Sequence, residues 1–215
     1  ARLSFDSDNR IAHSGGMSTA ASPRWFFGFP RESVVNAFLA AQAAQDFRYA
    51  EVGISRDDAV EPKGYNLDHN RVRLGQGADC FNRACAALRR WAMFPAPWTR
   101  ISPADAALRE GQIVAMQANA LGVWWLNACR IVYVIDQDGP IRRFGFAYGT
   151  LPAHVEEGEE RFSVEFHGDG GVWYDLRAFS RPRYWPVRLA KPIARRLQRR
   201  FVLDSQQAMR RAVGG

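Results

Sequence analysis

Cysteine is scarce in this sequence, and a long hydrophobic run is missing. The three cysteines, Cys80, Cys85 and Cys129, form no CxxC pair, and the first two are spaced outside common zinc-binding patterns. We therefore interpret them as small buried hydrophobic residues and expect no disulfide framework, bound metal or other cofactor. No segment approaches the roughly 18 consecutive apolar residues that a membrane-spanning helix needs.

Signatures of several enzyme classes are also missing. The chain contains no GxSxG elbow, no glycine-rich phosphate loop and no cysteine beside a plausible base. A His-x-Glu pattern at His154 and Glu156 is too common to indicate a metal site by itself. The sequence therefore favours a binding protein over an enzyme.

The composition that is present belongs to a folded protein. The chain has 215 residues, of which 47% are hydrophobic and 13% aromatic, enough for the core of one ordinary domain. Residues 1–22 are polar, show no periodicity and lack the apolar stretch of a secretory signal. We expect a flexible leader there, with Met17 as an alternative start, then a single α+β domain over residues 23–215 in the cytoplasm.

Positive charge is concentrated at the C-terminal end. Residues 177–215 hold 11 basic residues and one acidic residue, whereas residues 1–176 hold 18 basic and 21 acidic residues. A solvated helix face explains this excess. Nucleic acid is not an expected partner, because aromatic residues suited to base stacking are not interleaved with the arginines. The alternative is an anionic membrane surface, bound through Arg195, Arg196, Arg199 and Arg200.

Hydrophobic periodicity changes from helical to extended along the chain. RESVVNAFLAAQAAQ predicts a helix, and we expect the preceding WFFGFP segment to dock on the domain, with membrane contact as the alternative. A strand over residues 65–75 and a helix over residues 79–92 follow. The period then becomes two, which predicts further strands at residues 98–102, 112–118, 123–136, 141–151, 160–167 and 172–179.

The final segment, IARRLQRRFVLDSQQAMRRAV, predicts a long C-terminal helix. Its expected apolar stripe consists of Leu189, Ile193, Leu197, Phe201 and Ala208. Short turns between the strands imply an antiparallel meander. A curved antiparallel sheet of about seven strands that wraps this helix, with an N-terminal helical extension, buries both apolar surfaces. This element order resembles helix-grip, START-like proteins, in which the sheet and the helix enclose an elongated apolar cavity.

The stretch FGFAYGTLPAHVEEGEERF combines two patterns. Residues 144–149 alternate three aromatic residues with three small ones, which indicates one bulky strand face and one bare face that another backbone can approach. The four glutamates of residues 156–160 are expected in a solvated hairpin turn, except that Glu160 enters the next strand. In residues 160–167 we expect Phe162 and its alternate neighbours on a dry face and the polar residues on a wet face.

Candidate ligand-binding residues lie on these strands. Uninterrupted alternation over residues 123–136 places Tyr133 on one face with Ile131, and Arg130 on the other face. An interior Arg130 would need a carboxylate or would hold the acidic group of a ligand, whereas a solvated Arg130 has no special role. The predicted set is Trp125, Tyr133, Tyr148 and Tyr174 as cavity wall, Arg130 as polar anchor, and Glu160 and Asp175 as its carboxylate partners.

Several segments also resemble a known family. They are FRYAEVG, PKGYNLDHNRVRLGQG, ALRRWAMF, NACRIVYVID, GFAYGTLPAHVEEGEERF and FSRPR. Over residues 25–210 the chain resembles uncharacterised protein family (UPF) five-four-eight, which occurs in bacteria and plants and carries a domain of unknown function. The resemblance implies an intact domain and assigns no catalytic residue.

The sequence therefore predicts a container for a small hydrophobic ligand such as a lipid, an isoprenoid or a polyketide-like molecule. An enzyme of the same fold, a cyclase, dehydratase or hydrolase, is the first alternative. It requires Arg130, Tyr148, Glu160 or Asp175 to converge in one pocket. Peripheral binding to an anionic membrane through the arginine-rich helix is the second alternative.

Overall fold

The structure, a computed structural model, describes residues 22–94, 97–183 and 191–214. Most of the predicted leader and Leu189 of the predicted stripe lie outside the described residues. A short 3-10 helix spans Ile54–Arg56. The other elements are β1 (Arg24–Phe27), α1 (Glu32–Gln42), β2 (Asn66–Gln76), α2 (Ala78–Arg89), β3 (Thr99–Ser102), β4 (Ile113–Ala120), β5 (Val123–Gln137), β6 (Ile141–Thr150), β7 (Glu156–His167), β8 (Gly171–Pro182) and α3 (Lys191–Val213).

All of these strands form one antiparallel sheet. Strands β3 to β8 pair in chain order, and β2 lies beside β8 at the far edge. The first half of β5 has β4 on one side and β1 on the other, and its second half pairs with β6. The predicted α+β class, the meander and the helix-grip arrangement are therefore confirmed.

We call the sheet face that carries α2 and α3 the inner face. Phe162 and Val164 of β7 are fully buried there, as the alternating pattern predicts. The C-terminal half of α3 belongs to the same apolar core through Met209 and Val213. Ile193, by contrast, is 48% exposed, so its place in the predicted stripe is wrong. Four-residue steps exceed one helical turn of 3.6 residues, and a stripe built from them drifts around the helix.

The opposite, outer face carries α1 and a second apolar core. Val35 and Phe38 of α1 are buried against Leu126 of β5. Phe26 of β1 joins this core with only 2% of its surface exposed, which confirms that the aromatic N-terminal segment docks on the domain. Phe27, whose position alternates to the inner face, is 71% exposed.

The predicted wet face of β7 is in fact a buried polar layer on the outer face. Arg161 is 6% exposed and donates hydrogen bonds to the Ser55 carbonyl oxygen at 3.0 Å and to Asp175 at 3.1 Å. It also forms an ion pair with Asp58 at 2.7 Å. Residues before β2 fold over this face, so its polar side chains meet one another instead of water. Strand alternation separates polar from apolar faces but does not show what covers them.

A β-bulge in β5 corrects the predicted position of Tyr133. The register shifts between Ile131, which pairs with Tyr148, and Tyr133, which pairs with Ala147. The additional residue turns Tyr133 to the outer face, where its hydroxyl lies 2.7 Å from Ser55 Oγ. The prediction that Ile131 and Tyr133 share a face assumed uninterrupted alternation and is wrong for this reason.

The predicted turn in residues 156–160 is part of a strand. Strand β7 begins at Glu156 and pairs with β8 over these residues, so the expectation of a solvated hairpin turn is wrong. Gly158 makes this pairing possible: its φ is +145°, and a Cβ atom there would lie 1.9 Å from the Phe179 carbonyl oxygen. The strand therefore continues through Gly158 to the next two glutamates. Glu159 lies on the outer face and Glu160 on the inner face.

The predicted bare face of β6 is covered closely. A Cβ atom on Gly149 would lie 1.9 Å from Tyr49 Oη and 2.9 Å from a ring carbon of Phe47. The close neighbours are thus aromatic side chains from the segment before β2, and the gripped helix lies on the opposite, bulky face. Gly149 thus gives these rings room on the outer face, whereas a Cβ atom on Gly145 would lie 2.3 Å from the Phe162 carbonyl oxygen of β7.

Replacing Gly158 with alanine tests how tightly β7 is held against β8. We expect Gly158→Ala to lower the free energy of unfolding by about 3 kcal/mol, because the backbone conformation is strained for alanine and the Cβ atom meets backbone. Urea unfolding followed by circular dichroism measures this change. Gly168→Ala is the matched control, since nothing lies within 4 Å of a Cβ atom there. Equal stability of the two variants would contradict the close approach.

Candidate functional site

A cavity of about 480 Å³ lies between the inner face of the sheet and the first half of α3. Small residues on β4, β7 and β8, namely Ala118, Gly158 and Ala178, leave this space unfilled. Leu197 and Phe201 of α3 cover it. Most of its wall is apolar and includes Phe94, Trp98, Met116, Trp125, Leu176 and Val202.

The cavity has a polar end where β2, β6, β7 and α3 meet. The Tyr148 hydroxyl donates a hydrogen bond to Glu160 Oε2 at 2.7 Å. Gln198 of α3 donates its amide to both carboxylate oxygens of Glu156, at 2.8 and 3.0 Å. Two further residues complete this end: Arg195 of α3 binds both carboxylate oxygens of Asp68 on β2, at 2.6 and 2.8 Å.

Burial changes the acid–base properties of this polar end. It raises the pKa of Glu160 to about 7; the nearby Glu156 and Asp68 carboxylates add to this effect, and the Tyr148 hydrogen bond opposes it. Burial also raises the pKa of Glu156, against the hydrogen bonds and the positive charge of Arg195 that favour its ionised form. The pKa of Tyr148 is raised by its burial and then by the charge of Glu160. Glu160 therefore changes protonation state near neutral pH inside an apolar cavity.

His154, which also lines the cavity, is held in its neutral form. Its Nδ1 accepts a hydrogen bond from the Glu156 backbone N–H at 2.9 Å, and burial lowers the pKa of the ring to about 4. Within residues 22–94, 97–183 and 191–214, no group of three or more His, Cys, Asp or Glu side chains is placed to hold a metal ion. The ring is thus a fixed, uncharged part of the cavity wall at neutral pH.

The structure brings three of the predicted ligand-binding residues to the cavity. Trp125, Tyr148 and Glu160 line it. Tyr174 is fully buried in the adjoining inner core, where its hydroxyl lies 2.9 Å from Ser205 Oγ of α3. It supports the wall instead of forming it.

The structure places the other predicted residues on the outer face. Arg130 donates a hydrogen bond to the Ala43 carbonyl oxygen at 2.9 Å, with its guanidinium 5.5 Å from the centre of the Phe47 ring. Tyr133 contacts Ser55, and Asp175 lies 2.6 Å from His69 Nε2. Arg130 is therefore no anchor for this cavity, and of the residues expected to converge in an enzyme only Tyr148 and Glu160 meet.

The arginines of α3 have divided roles. Arg195 is paired with Asp68, and Arg200 lies over the Trp98 ring, 4.6 Å from its centre. Arg196 and Arg199 are exposed, and Arg199 also borders the cavity. Two of the four predicted surface arginines thus hold α3 to the rest of the domain. No helix in the described part of the chain has the length and hydropathy to cross a membrane.

Sequence reasoning missed three residues of the polar end. The sequence pattern assigns Glu156 to a solvated turn, whereas it begins β7. Asp68 and Gln198 carry no local signal, because each meets its partner only when β2 and α3 are brought to β7. A glutamate cluster that continues into a strand was the available clue.

The protonation of Glu160 predicts a pH-dependent stability difference. With its pKa raised from the usual 4.5 to about 7, the buried acid stabilises the fold fully below pH 4.5, and this contribution is lost as pH rises to 7. At about 1.4 kcal/mol per pKa unit, Glu160→Gln should gain about 3 kcal/mol over wild type between pH 4.5 and 8. Urea unfolding at each pH measures the difference.

The exposed residue Glu110 provides the control for this experiment, as Glu110→Gln removes a carboxyl outside the cavity. A stability difference between Glu160→Gln and wild type that stays constant from pH 4.5 to 8 would show that Glu160 is not held protonated. Because only the difference is interpreted, titration of the common groups that do not interact with Glu160 cancels, whereas the coupled acids Glu156 and Asp68 are part of the measured effect.

Comparisons with known proteins identify the family. A family profile described as "Domain of unknown function (DUF1990)" matches residues 48–208. A UPF0548 protein of Dictyostelium discoideum is 34% identical over 206 residues, covering 87% of this chain and 95% of the relative. A UPF0548 protein of Deinococcus radiodurans is 36% identical over 196 residues, covering 86% of this chain and 96% of the relative.

A third relative and two solved structures complete the comparison. A UPF0548 protein of Arabidopsis thaliana is 29% identical over 160 residues, covering 73% of this chain and 77% of the relative. The crystal structure of hypothetical protein jhp0584 from Helicobacter pylori matches with a TM-score of 0.44 and 14% identity, over 75% of this chain and 94% of that one. The crystal structure of Ara h 8.0201 also gives a TM-score of 0.44, with 12% identity, and the match covers 70% of this chain and 98% of that one. The family match and the sequence relatives establish that this chain belongs to the UPF0548 family, which carries the domain of unknown function DUF1990.

Proposed function

We propose that this protein binds a small hydrophobic ligand, such as a lipid, an isoprenoid or a polyketide-like molecule, between its sheet and α3. The observation that carries this proposal is the cavity itself. Its volume of about 480 Å³ lies within the range of roughly 300 to 1,000 Å³ that is typical of small-molecule sites. An apolar wall that ends in a few placed polar groups is also the usual composition of such a site.

The two halves of α3 suggest how a ligand enters. The C-terminal half is packed into the inner core through Met209 and Val213. The turns of α3 before Phe201 make polar contacts, Arg195 to Asp68 and Gln198 to Glu156. Polar contacts of this kind exchange with water at small net cost, whereas the apolar contacts do not. The turns of α3 before Phe201 are therefore the part that opens. The helix is fixed from Phe201 onward, because Phe201 packs against the rings of Phe94 and Phe162.

Filling the cavity should abolish ligand binding. Ala118 lines the cavity from β4, so Ala118→Phe places a ring in the space that a ligand would occupy. We expect binding of the neutral apolar dye Nile red, measured by fluorescence titration, to weaken at least about tenfold, a loss of about 1.4 kcal/mol. Native mass spectrometry of freshly purified wild type should also show bound hydrophobic material that unfolding releases.

The control for cavity filling is Ala107→Phe, which makes the same change at an exposed loop position. It should bind Nile red as wild type does. If the two variants and wild type bind Nile red equally, and the native mass is that of the bare chain, the cavity is not a ligand site.

A specific surface favours a second function, contact with an anionic membrane. Leu121, at the turn between β4 and β5, is 87% exposed, and Leu203 on α3 is 66% exposed. Leu203 borders the cavity, as does the exposed Arg199. Phe27 lies beside Val123, next to the same turn, and is also exposed. We call the cavity border formed by Arg199, Leu203 and the β4–β5 turn after Ala120 the cavity mouth. Exposed apolar side chains and an arginine there are suited to anionic lipid headgroups and the acyl chains beneath them.

Replacing Leu121 with aspartate tests this contact. We expect Leu121→Asp to reduce co-sedimentation with vesicles that contain phosphatidylglycerol, because a carboxylate replaces an inserting side chain beside anionic lipid. Added salt should weaken wild-type binding as well, since the arginines act through screened charge. Leu67→Asp is the matched control, because Leu67 is exposed on β2 at the opposite edge of the sheet. Vesicle binding that neither salt nor Leu121→Asp affects would refute a membrane contact at the cavity mouth.

A further inference from the structure

The charges at the polar end of the cavity restrict the ligand that the proposed function allows. Three carboxyl groups meet there, from Asp68, Glu156 and Glu160, on two strands that β8 separates. Asp68 receives both terminal nitrogens of Arg195, and Glu156 receives the Gln198 amide. The positive charge of Arg195 is therefore committed to a carboxylate already in the protein.

Glu160 has a neutral hydroxyl as its hydrogen-bond partner, whereas Asp68 is paired with the positive charge of Arg195. Tyr148 donates one hydrogen bond to Oε2, and the carboxyl lines the apolar cavity. The charged groups that act on it most strongly are the acids Glu156 and Asp68. Arg199 borders the cavity at its exposed side. A new charge beside Glu160 thus meets a local excess of carboxylates.

Two further titratable groups near this end are uncharged at neutral pH. The buried Cys129 thiol on β5 has its pKa raised by burial, and the ring of His154 has its pKa lowered by burial to about 4. Neither supplies a positive charge that a ligand anion could use. A carboxylate head group would therefore lie beside two or three other carboxylates in a low-dielectric site, which is strongly unfavourable.

We propose that the ligand has an apolar body and a cationic amine head group, and that the amine donates a hydrogen bond to Glu160 at the polar end of the cavity. This inference rests on the proposed ligand-binding function and deepens it. The ammonium group supplies the charge that the three acids lack, and the apolar body fills the space beneath Leu197 and Phe201. Tyr148 keeps its hydrogen bond and orients the Glu160 carboxylate towards the amine.

The proposal includes a proton balance. Below pH 7 the free protein holds Glu160 mainly in its acid form, because burial raises its pKa to about 7. The amine enters as an ammonium ion and keeps its proton, and Glu160 ionises to pair with it. The carboxyl proton is released to solvent. Binding of an amine at pH 6 therefore releases roughly one proton, whereas binding of an alcohol of the same chain length releases none.

Three ligands with the same apolar chain and different head groups distinguish the contribution of the head group to affinity from that of the apolar chain. Decylamine, decan-1-ol and decanoate are titrated into wild type at pH 8, with displacement of Nile red as the readout. We expect decylamine to bind at least about tenfold more tightly than decan-1-ol, and decanoate to bind most weakly. In Glu160→Gln, whose amide oxygen still accepts from Tyr148, the advantage of decylamine over decan-1-ol should disappear.

Glu110→Gln is the matched control, because it removes an exposed carboxyl that lies outside the cavity. It should retain the preference for decylamine. Calorimetry at pH 6 in two buffers with different ionisation enthalpies counts the protons, and we expect roughly one released by wild type with decylamine and none by Glu160→Gln. Urea unfolding of each variant establishes that it is folded.

The possible outcomes distinguish failure of the amine inference from failure of the proposed ligand-binding function. If Nile red and decan-1-ol bind but decylamine has no advantage, or if Glu160→Gln keeps that advantage, the amine inference is wrong and the container proposal stands. If Nile red and all three decyl compounds fail to bind wild type, the container proposal is wrong and the amine inference is wrong with it.

Discussion

The alternation of Glu159 and Glu160 across β7 connects the two sides of the molecule. Glu159 accepts hydrogen bonds on the outer face from the Tyr49 hydroxyl at 3.0 Å and the Gly53 backbone N–H at 2.8 Å. These contacts fix the segment before β2 against the sheet. Glu160, one residue later, projects into the cavity. Because the pleat fixes both directions at once, the anchoring of the outer segment also sets the position of the acid in the cavity.

These neighbouring glutamates also show how surroundings give one residue type two roles. Glu159 is 2% exposed and has several protein donors, so its carboxylate is satisfied within the fold. Glu160 has the Tyr148 hydroxyl and faces a space that the protein leaves unfilled. The first glutamate contributes to structure, and the second is available to a ligand. A sheet covered on both faces can hold both because polar groups buried on the outer face have partners there.

Much of the fold could be predicted from sequence because it depends on local periodicity. The strands of the meander, the helix α1 and the inward direction of Phe162 follow from patterns within single segments. The bulge that turns Tyr133 outward has no such pattern, because the additional residue in β5 is not marked by a distinctive residue type in the sequence. The partners of Arg130 and the meeting of Asp68 with Arg195 depend on segments far apart in sequence. The polar end of the cavity was therefore only partly predictable.

The open sheet has a consequence for association between copies of this protein. The two ends of its main strand order are the edges β3 and β2, whose unpaired backbone groups would otherwise invite another strand. Strand β3 has only four residues and is followed at once by Pro103, which has no backbone N–H to donate. Strand β2 is long, but charged residues such as Arg71 and Arg73 recur along it. Both of these edges thus disfavour strand addition, so the sheet can stay open enough to leave room for a cavity without inviting a second copy at β2 or β3.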